Sequence, residues 1–280
     1  MSAWREEAMT PRSATRLDYA LEVSRAQKRA ALGLYLPVGY PTRAAGLDAL
    51  HLMAQSADVL ELGIPHHTPH LDGPVIRRAV AQALDEGFRM PDLFTAIQDV
   101  TAASTAAALV MSYWQPVADY GTNRFSDALA AAGASGVLIP DLPASESERW
   151  LAAARSVGLH TVNLVDPHAD THHLARTCAT GTGMVYAPAT HGLTGGQGSI
   201  CPQLSQNIGR LRAVTGLPVG VGIGISTPDQ AARLSAIADA VVIGSPVLRR
   251  MYQATHPADA AAEVAQEFAD AVRHPINPVA

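Results

Sequence analysis

The sequence predicts an α/β fold: a closed (β/α)8 barrel of the TIM class with one extra helix at its N-terminus. Three observations lead there. Eight short β-rich runs alternate with Ala- and Leu-rich helical stretches along 280 residues, and a chain of roughly 250 residues or more suits eight such units closed on themselves. The first strand runs into "VGYPT", without the Gly-rich turn that a doubly wound sheet places there. The glycines gather instead after the last three strands, where barrels build phosphate sites.

The elements follow in order. "RLDYALEVSRAQKRA", residues 16–30, reads as an amphipathic helix and is the extra N-terminal element. Strands are expected at 33–38, 58–63, 107–113, 135–141, 159–165, 183–189, 217–223 and 238–244, each a β-rich run bounded by turn residues. Helical stretches lie between them, among them 144–156 and 227–237, and "MPDLFTAIQDVTAAS" at 90–104 adds a further helical segment between the second and third strands. No linker, low-complexity tract or repeat divides the chain, so residues 1–280 read as a single domain, with about 1–16 a flexible N-terminus.

Bulk properties narrow the function. A chain 48% hydrophobic and 16% charged can bury a sizeable core. A net charge of −5 gives no electrostatic reason to expect nucleic acid or an anionic membrane as partner, and no apolar run approaches the ~20 residues that span a bilayer. "MSAWREEAMTPRSATR" carries acids and no apolar stretch, so it is not a signal peptide. Cys178 and Cys201 make no disulfide framework, and a reduced, cytoplasmic protein is the expectation.

The chemistry concentrates in "ELGIPHHTPHLDGP", residues 61–74. Period-two alternation puts Glu61 on the face of Val59 and opposite Leu60 and Leu62. Barrel strands are covered on both sides, so an ionisable group there is costly unless paired or used, and catalytic groups come from the C-terminal ends of such strands. A salt-bridged structural role is the alternative. Asp72 precedes Gly73 and Pro74, and Pro74 suits a first helical turn. An Asp at that place caps a helix or binds a ligand, and spacing alone does not choose. His66, His67 and His70 offer imidazoles to a metal, but Pro65 and Pro69 make the segment a loop, where HxxxH spacing loses its meaning. Solvent-facing loop histidines, and no metal, are the expectation.

A phosphate signal lies in "HGLTGGQGS", "GVGIGIST" and "VIGSPV", after strands six, seven and eight. Gly222 and Gly224 allow close backbone approach, Gly195 offers another N–H, and Gly244-Ser245 opens the last barrel helix with exposed N–H groups and a hydroxyl. Any one of these glycines reads best as a tight turn; the set at these positions reads as a phosphate site.

In order and spacing, "LELGIPHHTPHLDGPVI", "LVMSYWQPVADYG", "GVLIPDLP", "GMVYAPATHGLTG", "GIGISTPDQ" and "AVVIGSPV" resemble the tryptophan synthase α subunit family, from about residue 18 to 272. The resemblance implies retro-aldol cleavage of indole-3-glycerol phosphate to indole and glyceraldehyde 3-phosphate, without metal or cofactor. Such chemistry otherwise uses a lysine Schiff base or a divalent metal. The one lysine, Lys28, falls on the opening helix before the first strand, away from the barrel mouth. By matching motif, Glu61 is the proton-transferring carboxylate and Asp72 accepts the indole N–H. Tyr186 stands beside the glutamate, Thr194 closes onto the aspartate, and Gly195, Gly224, Gly244 and Ser245 hold the phosphate. Tyr35 and Ile223 lie against the indole.

The sequence departs from the family at His67-Thr68, where a Ser-Asp pair is usual. It departs again at Gln115-Pro116 in place of Asn-Pro, and at Thr190 in place of an arginine. These positions fall on the loops through which the family's α subunit meets its β partner. The expectation is an indole-3-glycerol-phosphate lyase whose catalytic groups are intact, either a conventional α subunit or an enzyme working without a β subunit. The altered loops tilt the reading toward the second. An aldolase for another phosphorylated substrate and a weakly catalytic subunit that activates a partner enzyme are the alternatives.

Overall fold

A computed structural model describes residues 14–166, 168–190 and 200–276. The chain runs α1 (Arg16–Ala26), β1 (Ala31–Pro37), α2 (Arg43–Met53), β2 (Val59–Gly63), α3 (Pro74–Asp85), α4 (Met90–Ala103), β3 (Ala107–Met111), α5 (Trp114–Tyr120), α6 (Thr122–Ala132) and β4 (Gly136–Leu138). It continues through α7 (Ala144–Ser156), β5 (His160–Leu164), α8 (Thr171–Thr180), β6 (Val185–Pro188), α9 (Leu204–Val214), β7 (Val219–Gly222), α10 (Pro228–Ser235), β8 (Ala240–Ile243), α11 (Ser245–Gln253) and α12 (Pro257–Arg273). The strands are parallel and close into a barrel in sequence order, β1 pairing with both β2 and β8. The predicted barrel is the observed one.

Two apolar layers hold it together, as alternation along each strand requires. Leu32, Leu34, Leu36, Leu60, Leu62, Val110 and Ile243 point outward and pack under the helices. Val59, Leu109, Leu138, Val162, Met184 and Val242 point inward and fill the barrel. Leu17, Ala20 and Leu21 of α1 join that inner cluster, so the extra helix plugs the N-terminal end of the barrel. Its start is firmly held. Thr15 and Asp18 form a reciprocal capping box, and the Arg16 guanidinium donates to the Thr101 and Ser104 carbonyls at the end of α4. The flexible start was expected to reach about residue 16; Thr15 and Arg16 are held in place, and residues 1–13 lie outside the described residues.

Three other expectations shift. The opening helix stops at Ala26 rather than continuing to residue 30, because Lys28 turns left-handed at φ 58°. The Arg29 guanidinium then grips Asp58 at 2.5 and 2.8 Å. Lys28 thus follows the helix instead of lying on it, still at the barrel end opposite the mouth. The fourth strand is only Gly136–Leu138, with Pro140 and Asp141 already in the loop beyond it. Ser245 opens not the last barrel helix but α11, a nine-residue helix inserted before α12. No helix among the described residues is long and apolar enough to cross a membrane.

Candidate active site at the C-terminal mouth of the barrel

A cavity opens at the C-terminal ends of the strands. Leu71, Ile76, Met111, Leu138, Leu164, Ile225 and Val242 give it an apolar wall. Tyr35, Glu61, Asp72, Tyr186 and Ser245 supply the polar groups, with Ile223, Gly224 and Gly244 at its rim. Eight of the ten residues singled out from the sequence therefore line one cavity. The other two, Thr194 and Gly195, lie outside the described residues, as does His191.

Glu61 sits in the middle of β2, registered between Tyr35 of β1 and Leu109 of β3, and is 4% exposed. Among the described residues it forms no ion pair, unlike a salt-bridged structural glutamate. Burial, then the neighbouring charge of Asp72, push its carboxyl up to about 8. Both causes disfavour the ionised form. At neutral pH Glu61 is a carboxylic acid with a proton to give.

Asp72 is equally buried but differently set. The helix it precedes begins with Gly73 as N-cap and receives no side-chain capping bond, so capping is not its role. Its carboxylate instead accepts the Tyr113 hydroxyl at 3.2 Å. Burial pushes its pKa up to about 6, while the Tyr113 bond and the charges of Arg77 and His70 pull the other way. The two carboxyls thus divide the work: one holds its proton at pH 7, the other has released it.

Glycines make room for the tyrosines. The Tyr35 hydroxyl lies where a Cβ on Gly63 would be, and the Tyr186 hydroxyl where a Cβ on Gly222 would be. In each pair the ring leans toward the mouth across the neighbouring strand. Gly222, expected to bring backbone up to a phosphate, serves Tyr186 instead. Burial raises both phenols well above 10, with Glu61 adding to it in each case and Asp72 ahead of Glu61 for Tyr35, so both remain neutral donors.

At the far side of the cavity, Ile223 adopts φ 61° and Gly224 φ 92°. A β-branched residue rarely takes the left-handed region, and such strain collects at functional sites. Thr190 secures it: its hydroxyl donates to the Ile223 carbonyl at 3.3 Å and fills the place a side chain on Gly224 would need. Gly244 is the N-cap of α11 and Ser245, 6% exposed, is its first residue. Both line the cavity, and the first turn of a helix offers N–H groups that have no intrahelical partner, an arrangement suited to an anion.

The three loop histidines do not converge. His66 bonds Thr68 at 2.8 Å, His67 is exposed, and His66 and His70 rest their rings on Tyr113. No group of three or more His, Cys, Asp or Glu among the described residues is placed to hold a metal ion. Sequence reasoning missed Tyr113. Its signal was its place just beyond the end of β3 at the barrel's functional face.

The family model described as tryptophan synthase alpha chain matches residues 21–276. A tryptophan synthase alpha chain of Streptomyces coelicolor is 42% identical over 246 residues, covering 88% of this chain and 90% of the relative. One from Mycobacterium marinum is 40% identical over 235 residues, covering 84% and 87%. Among solved structures, that of Mycobacterium tuberculosis tryptophan synthase in space group F222 superposes with a TM-score of 0.86 at 38% identity, covering 93% of this chain and 99% of that one.

Proposed function

Because the chain belongs to the tryptophan synthase alpha chain family, we infer that it is a lyase cleaving indole-3-glycerol phosphate to indole and glyceraldehyde 3-phosphate. One observation carries the reading of its site: two buried carboxyls in one apolar cavity, poised in opposite protonation states at neutral pH.

Protonated Glu61 gives its proton to C3 of the indole ring. Positive charge then develops toward the ring nitrogen, and ionised Asp72, accepting the N–H, stabilises it. The Glu61 carboxylate next takes the proton of the hydroxyl adjacent to the ring. The C–C bond breaks, its electron pair restoring the aromatic indole while the hydroxyl carbon becomes the aldehyde. The proton borrowed from Glu61 has been returned, and no redox partner or Schiff base enters. Tyr35, Tyr186 and Ile223 enclose the indole. Gly224, Gly244 and Ser245 hold the phosphate at the start of α11; the family resemblance adds Gly195 to that site and sets Thr194 against Asp72. The partner in this reading is a tryptophan synthase β subunit. Cys178 and Cys201 are buried thiols rather than a disulfide, which supports a reducing, cytoplasmic setting.

The test is indole release from indole-3-glycerol phosphate by the purified chain, across a titration with a tryptophan synthase β subunit. Indole is expected from the chain alone, with a rise of less than tenfold on saturation. A larger rise, more than about 1.4 kcal/mol of transition-state stabilisation, makes this a partner-dependent subunit; no indole in either arm overturns the lyase reading.

The pH profile follows from the same two groups. Activity needs Asp72 ionised and Glu61 protonated, so kcat falls below about 6 and again above about 8, the limbs belonging to the coupled pair. A rate still rising at pH 9 would contradict a protonated Glu61 at the start of the cycle.

A further inference from the structure

We propose that His66 and His70 are positioning residues for the charge-stabilising carboxylate: their rings, resting on Tyr113, keep its hydroxyl on Asp72. The proposal rests on the lyase reading for its kinetic consequence, but its geometry stands apart from it.

The loop between β2 and α3 must present Asp72 from a segment with no strand ladder of its own. At its start the Ile64 N–H donates to the Met111 carbonyl at 2.9 Å. Near its end one phenol ties two of its groups to α5. The Tyr113 oxygen accepts the Leu71 N–H at 3.1 Å and donates to Asp72 at 3.2 Å. Where that oxygen goes, the carboxylate goes.

Tyr113 is 2% exposed, and part of its cover comes from the loop it holds. The His66 ring lies 5.7 Å from the Tyr113 ring, centroid to centroid, at 34°, and the His70 ring 4.9 Å away at 49°. Both imidazoles are themselves tied down, His66 by the Thr68 hydroxyl and His70 by the Thr68 carbonyl at 3.3 Å. Arg77 of α3 adds a bond to the His70 carbonyl at 3.3 Å. The loop thus closes on Tyr113 with contacts drawn from this chain alone.

Imidazoles bring charge as well as shape. Asp72 faces Arg77 and His70 from the mouth side, both favouring its ionised form, and Glu61 and Tyr35 from inside the barrel. Burial above all, with His67 and His70, holds His66 below the ordinary imidazole value, against the opposing charges of Asp141 beyond β4 and Asp119 of α5. The charge of His70, like that of Arg77, favours the ionised form of Asp72.

The experiment uses the full chain and two readouts. The double variant His66→Ala/His70→Ala should lower kcat about tenfold, the scale of one weakened hydrogen bond to a charged group, with KM within about twofold. Tyr113→Phe should show a similar loss, and the triple variant no further loss, because the three residues act in series. The double variant His66→Phe/His70→Phe should restore kcat at pH 8 while its acid limb stays above that of the parent chain. The second readout is the Asp72 carboxyl titration followed by 13C NMR. Its midpoint should move to higher pH in His70→Phe and in Tyr113→Phe, whether or not indole is released. Parental kcat and titration in the double-Ala variant, or a triple variant whose loss is the product of its parts, overturns the proposal. A chain that releases no indole yet shows the shifted titration overturns the lyase reading alone.

Discussion

Glu61→Gln is expected to reduce indole release by about 10²–10⁴-fold, the contribution of a general acid–base group. The amide keeps the size and neutrality that Glu61 has below about 8, but it cannot give a proton to C3 or accept one from the hydroxyl. Substrate binding should change little, so the loss falls on kcat. The same variant carries a stability signature of opposite sign. The folded-state pKa of Glu61 is raised to about 8, so the folded protein holds this proton more tightly than the unfolded chain does. The contribution is fully present below the unfolded value near 4.5 and is lost as pH rises toward about 8. Above that window the parent chain buries a carboxylate and the variant does not. Glu61→Gln should therefore melt at a higher temperature than its parent at pH 8, and at nearly the same temperature at pH 4.5. Near-parental indole release would end the proposed role of Glu61, and equal melting at pH 8 would contradict its raised pKa.

Asp72→Asn is expected to cost about 10²–10³ in kcat, the range seen when a preorganised group facing a developing charge is removed. The side-chain oxygen can still accept the Tyr113 hydroxyl, so the loop should keep its place, but the negative charge opposite the indole nitrogen is gone. This substitution also moves Glu61. Asp72's charge is one of the two causes holding Glu61 up near 8; without it the Glu61 midpoint falls, and the alkaline limb of the residual activity shifts to lower pH. A residual profile with its alkaline limb unmoved would show that the carboxyls are not coupled.

Much of this site was legible one residue at a time. Alternation along "VLELG" placed Glu61 on the face of Val59, and the two share the barrel interior, Val59 in the inner cluster and Glu61 on the mouth cavity. Gly244-Ser245 read as a helix opening, and α11 opens there. Such features are local: a strand's period, a proline at a first turn and a glycine-rich end depend on a few neighbours and ordinary backbone sterics. The order of the motifs added what no single residue carries, the family and with it the assignment of roles. Where the local reading left alternatives, at Asp72 and at the histidines, the missing partner was distant in sequence.

That distance marks what only the tertiary structure decided. Tyr113 stands 41 residues from Asp72, and nothing near either residue signals that their oxygens meet. Closure of the barrel brings the end of β3 beside the loop after β2. The same closure sets Tyr35 over Gly63 and Tyr186 over Gly222, makes α1 a plug for the barrel floor, and bends Ile223 into a strained turn locked by Thr190. The chain's local chemistry determined which side chains face the barrel interior and which loops carry polar groups. Cross-strand register and barrel closure determined which of those groups touch, and so which carboxyl keeps its proton, because desolvation and neighbouring charge are properties of the assembled cavity and not of any segment.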